Sequence, residues 1–78
     1  MILFVLSPNS KETYEVSWVE VDTIVGNFVI QLGHAPMIIS LSPHSKLNFC
    51  LKSGKVDFIS VSSGVIEVSR SFVKLFLN

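Results

Sequence analysis

Residues 16–36 read VSWVEVDTIVGNFVIQLGHAP, and their spacing predicts a β-hairpin rather than a helix. Val19, Val21 and Thr23 alternate with Glu20 and Asp22. That two-residue period is the mark of a strand with one buried face. Val16 and Trp18 fall in the opposite phase, which predicts a β-bulge near Ser17 or Trp18. Residues 16–25 are therefore expected to form one long strand. Gly26-Asn27 reads as a tight turn, and residues 28–31, FVIQ, return as the hairpin partner. The run stops at Gly33-His34-Ala35-Pro36. Gly33 admits backbone angles that a side chain resists. Pro36 sets φ and removes a donor, which suits a sheet corner or edge.

The same grammar extends in both directions. Residues 2–7, ILFVLS, form a strand that ends in the turn Pro8-Asn9-Ser10, with a short strand following near Thr13-Tyr14. Beyond Pro36, MIISL is a short strand broken by Ser42-Pro43-His44. KLNFCLK sets Leu47, Phe49 and Leu51 against Asn48, Cys50 and Lys52. Ser53-Gly54 turns the chain into KVDFISVS, Ser63-Gly64 turns it into VIEVS, and the chain closes with FVKLFLN. No segment carries a helical period. Short strands with frequent turns predict an all-β fold, a flattened antiparallel sandwich or barrel made by residues 1–78 as one domain.

Composition narrows the function. Of 78 residues, 49% are hydrophobic, 15% are charged, and the formal net charge is zero. A domain this small buries only about 60% of its unfolded surface, so some apolar area is expected to face a partner. Val16, Trp18, Phe28 and Ile30 are candidates for that second apolar face; the alternative is that they fill the core. With no basic excess, nucleic-acid binding is not expected. The single cysteine, Cys50, makes no internal disulfide. The apolar N-terminus lacks the basic flank and length of a signal peptide, and no run approaches a membrane span.

Chemistry finds few residues to use. The two histidines, His34 and His44, and Cys50 show no paired metal spacing, and no Gly-x-Ser-x-Gly elbow occurs. No catalytic residue, metal or cofactor is expected. Glu12, Glu15, Glu20 and Glu67 lie on separate segments and read as solvated surface. Trp18 is open as a sugar platform or as a core or partner-facing residue. His34 is either a structural turn histidine or a contact to another subunit.

Two blocks, GNFVIQLGHAPMIISLSP and DFISVSSGVIEVSRSFVKLF, together with the opening LFVLSP, resemble the epsilon subunit of F-type ATP synthases (delta in mitochondria). They cover nearly the whole chain in the family's order. The resemblance implies a β-sandwich of about ten short strands, in line with the sandwich pattern above. It implies a non-catalytic rotor-stalk subunit that grips gamma, rests on the c-ring and couples proton flow to ATP synthesis. It places such a subunit peripherally on the cytoplasmic, or matrix-like, face of the membrane, held there only through the complex. By position, Ser7, His34 and Ile39 correspond to the gamma-facing set and Asn27 to the c-ring-facing acid. Gly26, Gly33, Pro36 and Gly64 correspond to turn positions. Asn27 departs from the family's acid, Val29 from Gly, Leu32 from Pro, His44 from Gly, and Ser63 from the first of two glycines. The family's C-terminal helical hairpin has no counterpart in these 78 residues; if that is the natural length, neither its rotation block nor its nucleotide site is expected. Two other readings stay open: a sandwich repurposed for a different partner, and a small hydrolase or sugar-binding protein using His34.

Overall fold

The computed structural model describes residues Met1–Asn78 and contains no helix. Eight strands follow one another: β1 (Ile2–Ser7), β2 (Ser10–Thr23), β3 (Gly26–Ile30), β4 (Met37–Ser40), β5 (Ser45–Leu51), β6 (Val56–Val61), β7 (Gly64–Val68) and β8 (Phe72–Leu77). The count falls below ten partly because β2 is continuous. The short strand expected near Thr13-Tyr14 and the long one after it are a single 14-residue element.

β2 builds both layers. Its first half pairs antiparallel with β1, from Ser10↔Ser7 to Glu15↔Ile2. Its second half pairs with β3 and β5. The bulge lies where the phase change requires it, between Val16 and Trp18. One extra residue there moves the inward phase, so Val16, Val19, Val21 and Thr23 are all buried. One layer then runs β4-β7-β8-β1-β2, and the other places β3, β2, β5 and β6 side by side. The ladders are antiparallel except for β1 with β8, which is parallel in register from Ile2↔Phe72 to Leu6↔Phe76. The first and last strands thus lie together at the middle of a layer.

Alternation sends one side of each strand inward. Leu3 and Val5 of β1, Leu47 and Phe49 of β5, Ile66 and Val68 of β7, and Val73 and Leu75 of β8 meet Val16, Val19, Val21 and Ile30 in one core. Only 16 of 78 residues are buried, so each core side chain carries a large share of the stability. Complete burial of such a side chain contributes about 1.5–3 kcal/mol. The principal extents, 28 × 27 × 18 Å, are those of a flattened body two sheets thick.

Two glycine readings change in the structure. The β2–β3 turn is made by Ile24-Val25, two residues before the expected Gly26-Asn27, and Gly26 (φ 129°) already opens β3. Gly64 opens β7 and is needed for packing rather than turning. A Cβ there would lie 2.9 Å from the Phe76 carbonyl oxygen and 3.3 Å from Val61 Cγ1. Gly33, by contrast, sits in its turn at φ 86°, as expected.

Candidate functional site

The segment between β3 and β4 carries His34, and it is fastened rather than free. The Gly33 N–H donates to the Arg70 carbonyl at 2.7 Å, and Arg70 Nη1 donates back to the Gly33 carbonyl at 3.2 Å. The His34 N–H donates to the Gln31 carbonyl at 3.1 Å. His34 Nδ1 lies 2.8 Å from the Ala35 carbonyl. A carbonyl only accepts, so Nδ1 carries the hydrogen and Nε2 remains for another partner. The imidazole stands edge-on to Phe28, with centroids 6.5 Å apart. This is a positioned, half-buried histidine with one free nitrogen. No three His, Cys, Asp or Glu side chains gather around it or elsewhere.

Arg70, which clasps this loop from the β7–β8 turn, carries no signal of that role in the sequence. Its partner is a backbone carbonyl 37 residues away, and no local pattern encodes that.

His34 stands at one end of a shallow groove. Val29, Gln31, Leu32, Gly33 and His34 line a hollow of about 250 Å³. Trp18, Glu20, Val29 and Gln31 line an adjoining one of about 280 Å³. Val29 and Gln31 belong to both, so the two hollows form one outward trough along β2 and β3. The four residues considered for a second apolar face divide cleanly. Val16 and Ile30 are fully buried in the core, whereas Trp18 is half-exposed in the trough and Phe28 packs at the core's edge.

At the far end of the β2–β3 hairpin, Ile24 and Val25 form the tip, each 67% exposed. The buried Thr23 holds this turn: its hydroxyl donates to the Gly26 carbonyl at 2.8 Å and accepts from the Val25 N–H at 3.2 Å. Behind the tip, Asn27 pairs with Asp22 across the hairpin, and its Nδ2 donates to Asp22 Oδ1 at 2.8 Å. A carboxylate therefore persists beside position 27, carried by the facing strand.

The remaining sequence-derived positions are spread out. Ser7 ends β1, where its hydroxyl meets that of Ser10 at 2.7 Å across the first turn. Ile39 lies in β4 opposite Ile66 and packs on the core, while its neighbour Ile38 is the exposed residue, at 74%. The ladder rows order these residues along the layer. Met37, Val68, Val73 and Leu3 form one row, and Ser40, Val65, Phe76 and Leu6 form another, three residues further along. His34 lies beyond the first row and Ser7 beyond the second, at opposite ends. Pro36 leads directly into β4.

Residues 2–78 match the family described as ATP synthase, Delta/Epsilon chain, beta-sandwich domain. The chain belongs to this family. Solved structures agree on the fold of the delta/epsilon-type domain. A chain in the Euglena gracilis mitochondrial ATP synthase, in a structure of OSCP, F1 and c-ring, superposes with a TM-score of 0.83 at 21% identity. The match covers 96% of this chain and 48% of that one. A chain in the central stalk and c-ring structure of the Tetrahymena thermophila mitochondrial ATP synthase gives a TM-score of 0.80 at 14% identity. There the whole of this chain matches 63% of that one. The delta/epsilon-type domain thus spans about half to under two thirds of those chains.

Proposed function

We propose that this chain is the β-sandwich of a non-catalytic central-stalk subunit in a proton-translocating rotary ATP synthase. Its partners are the gamma subunit and the c-ring, and its task is to transmit rotation between them. The observation that carries this reading is the family match over residues 2–78, which takes in every strand of the sandwich. A stiff, fully laddered body suits the role, because preformed sheets bind with little ordering cost.

The gamma-facing set runs from His34 at one end to Ser7 at the other, with β4 between them, where Ile39 packs inward and Ile38 is the side chain exposed to a partner. The pinned ring with its free Nε2 is the most specific feature of that set. The c-ring-facing end is the β2–β3 tip, where Ile24 and Val25 supply apolar contact and Asp22 supplies the charge that Asn27 lacks. The subunit sits peripherally at the membrane through the complex, on the cytoplasmic or matrix-like side.

Co-purification with the gamma subunit of the same organism tests the reading. The folded chain should form a stable complex, and His34→Ala should weaken it by about 1–2 kcal/mol without unfolding the chain. A folded chain that ignores gamma and the c-ring would sink the proposal.

A further inference from the structure

We infer that the chain carries a separate binding site for a phosphate-type oxyanion, in the cavity between the start of β5 and the end of β6. The cavity holds about 230 Å³ and is lined by His44, Ser45, Lys46, Ser60, Val61 and Ser62. The lining residues carry three hydroxyls, one ammonium and one imidazole, and none of the six is acidic. Such a wall offers hydrogen-bond donors and positive charge to an anion and no carboxylate to a cation. Only Val61 is hydrophobic, so an apolar ligand has little to grip. The volume lies below the roughly 300–1,000 Å³ of drug-sized pockets and suits a phosphate group with its waters.

Two further observations point the same way. His44 is the one non-glycine residue with a left-handed backbone, at φ 53°. Few residues with a side chain adopt that conformation, and those that do cluster at functional sites. Lys46 is in no ion pair, and two of the three hydroxyls have no hydrogen bond within the chain. The chain's one ion pair joins the N-terminal ammonium to Glu15. Lys46 Nζ instead lies 4.3 Å above the Phe58 ring, beside the cavity, a contact that an anion would compete with. The serine hydroxyl bonds of the chain involve Ser7, Ser10, Ser45, Ser63 and Ser69, which leaves the hydroxyls of Ser60 and Ser62 for a ligand. The rim is held in place by the His44 N–H donating to the Ser62 carbonyl at 3.1 Å and by Ser45 Oγ donating to the Ser42 carbonyl at 2.7 Å.

Inorganic phosphate and a phosphate-bearing lipid headgroup present the same oxyanion, and one experiment separates them. The 78-residue chain is titrated with inorganic phosphate at constant ionic strength while its amide resonances are followed. It is then sedimented with vesicles of phosphatidylcholine, with and without phosphatidic acid. Saturable shifts confined to residues 44–46 and 60–62, with an affinity of about millimolar, support the site. Sedimentation with phosphatidic acid alone assigns the ligand to a headgroup, and a phosphate titration without sedimentation assigns it to the free ion. Lys46→Gln should weaken either response about tenfold. His44→Gly should also weaken it while folding at least as well, because glycine relieves the left-handed strain. Both variants should still bind gamma, which separates this site from the stalk reading. No response to either probe, or variants that respond like the parent, would overturn the inference.

Discussion

The two ends of β3 solve opposite problems. At Gly33-His34 the chain is bound on several sides: two hydrogen bonds to Arg70, one to Gln31, a ring nitrogen on Ala35 and an edge contact to Phe28. At Ile24-Val25 the backbone is held by the Thr23 hydroxyl and by the Ile24 N–H donating to the Ser40 carbonyl at 3.3 Å, and two large apolar side chains stand in solvent. The first end spends its polar groups internally and presents a single oriented nitrogen. The second presents grease. Intramolecular hydrogen bonds orient a group for a specific polar contact, whereas an uncovered apolar tip gains most from simple burial. One hairpin therefore offers two kinds of recognition at its two ends.

The severest way to break this contrast is to remove the buried side chain of the strand that joins the two ends. Ile30 is fully buried at the close of β3. Ile30→Ala should cost about 2–5 kcal/mol, seen as a lowered denaturant midpoint, with both ends losing amide protection together. If only one end loosened, the two would not share a core anchor.

Gly33→Ala sharpens the contrast at one end. Nothing crowds a Cβ there, so the cost comes from φ 86° alone. The expected loss is about 1–2 kcal/mol, accompanied by faster hydrogen exchange around residues 33–34 and unchanged exchange at the tip. A variant as stable as the parent would show that the left-handed turn is not enforced.

At the tip, replacing Ile24 and Val25 together by serine should change stability by no more than about 0.5 kcal/mol, because neither side chain is in the core. Association with the c-ring should nevertheless fall clearly in a binding assay. A large drop in melting temperature would mean that the tip is structural after all.

The smallest effect lies outside both ends, on the first half of β2. Tyr14 donates to Glu12 Oε2 at 2.9 Å, and this bond, aided by desolvation and the neighbouring carboxylates of Glu12 and Asp57, raises its pKa above 10.0. The folded value exceeds the unfolded one, so the contribution is complete below the unfolded pKa and is lost as pH rises through the folded value. The parent should lose slightly more stability than Tyr14→Phe in alkaline denaturation series. Identical alkaline curves for the two proteins would remove this role for the Tyr14–Glu12 bond.

Much of this architecture was legible in the residues. Period-two alternation identified the inward faces of β2 and β5, because a strand's phase against the core is a local property. The broken phase at Val16 and Trp18 located the bulge. Gly33 marked its turn because only glycine takes that backbone angle freely, and the Gly-His-Ala-Pro and Phe-Ile-x-Val-Ser blocks pointed to the family. Position 26 misled for the same reason: a glycine with positive φ follows the turn here instead of occupying its centre.

What the tertiary structure alone decided is who faces whom. The parallel pairing of β1 with β8, the Arg70 clasp on Gly33, the backbone crowding at Gly64, and the placement of Ser7 and His34 at opposite ends of a layer all join residues far apart in the chain. Linear spacing specifies phase and turn. Partners across a sandwich are chosen by the packing of whole strands, and that information exists only once the sheets have closed on each other.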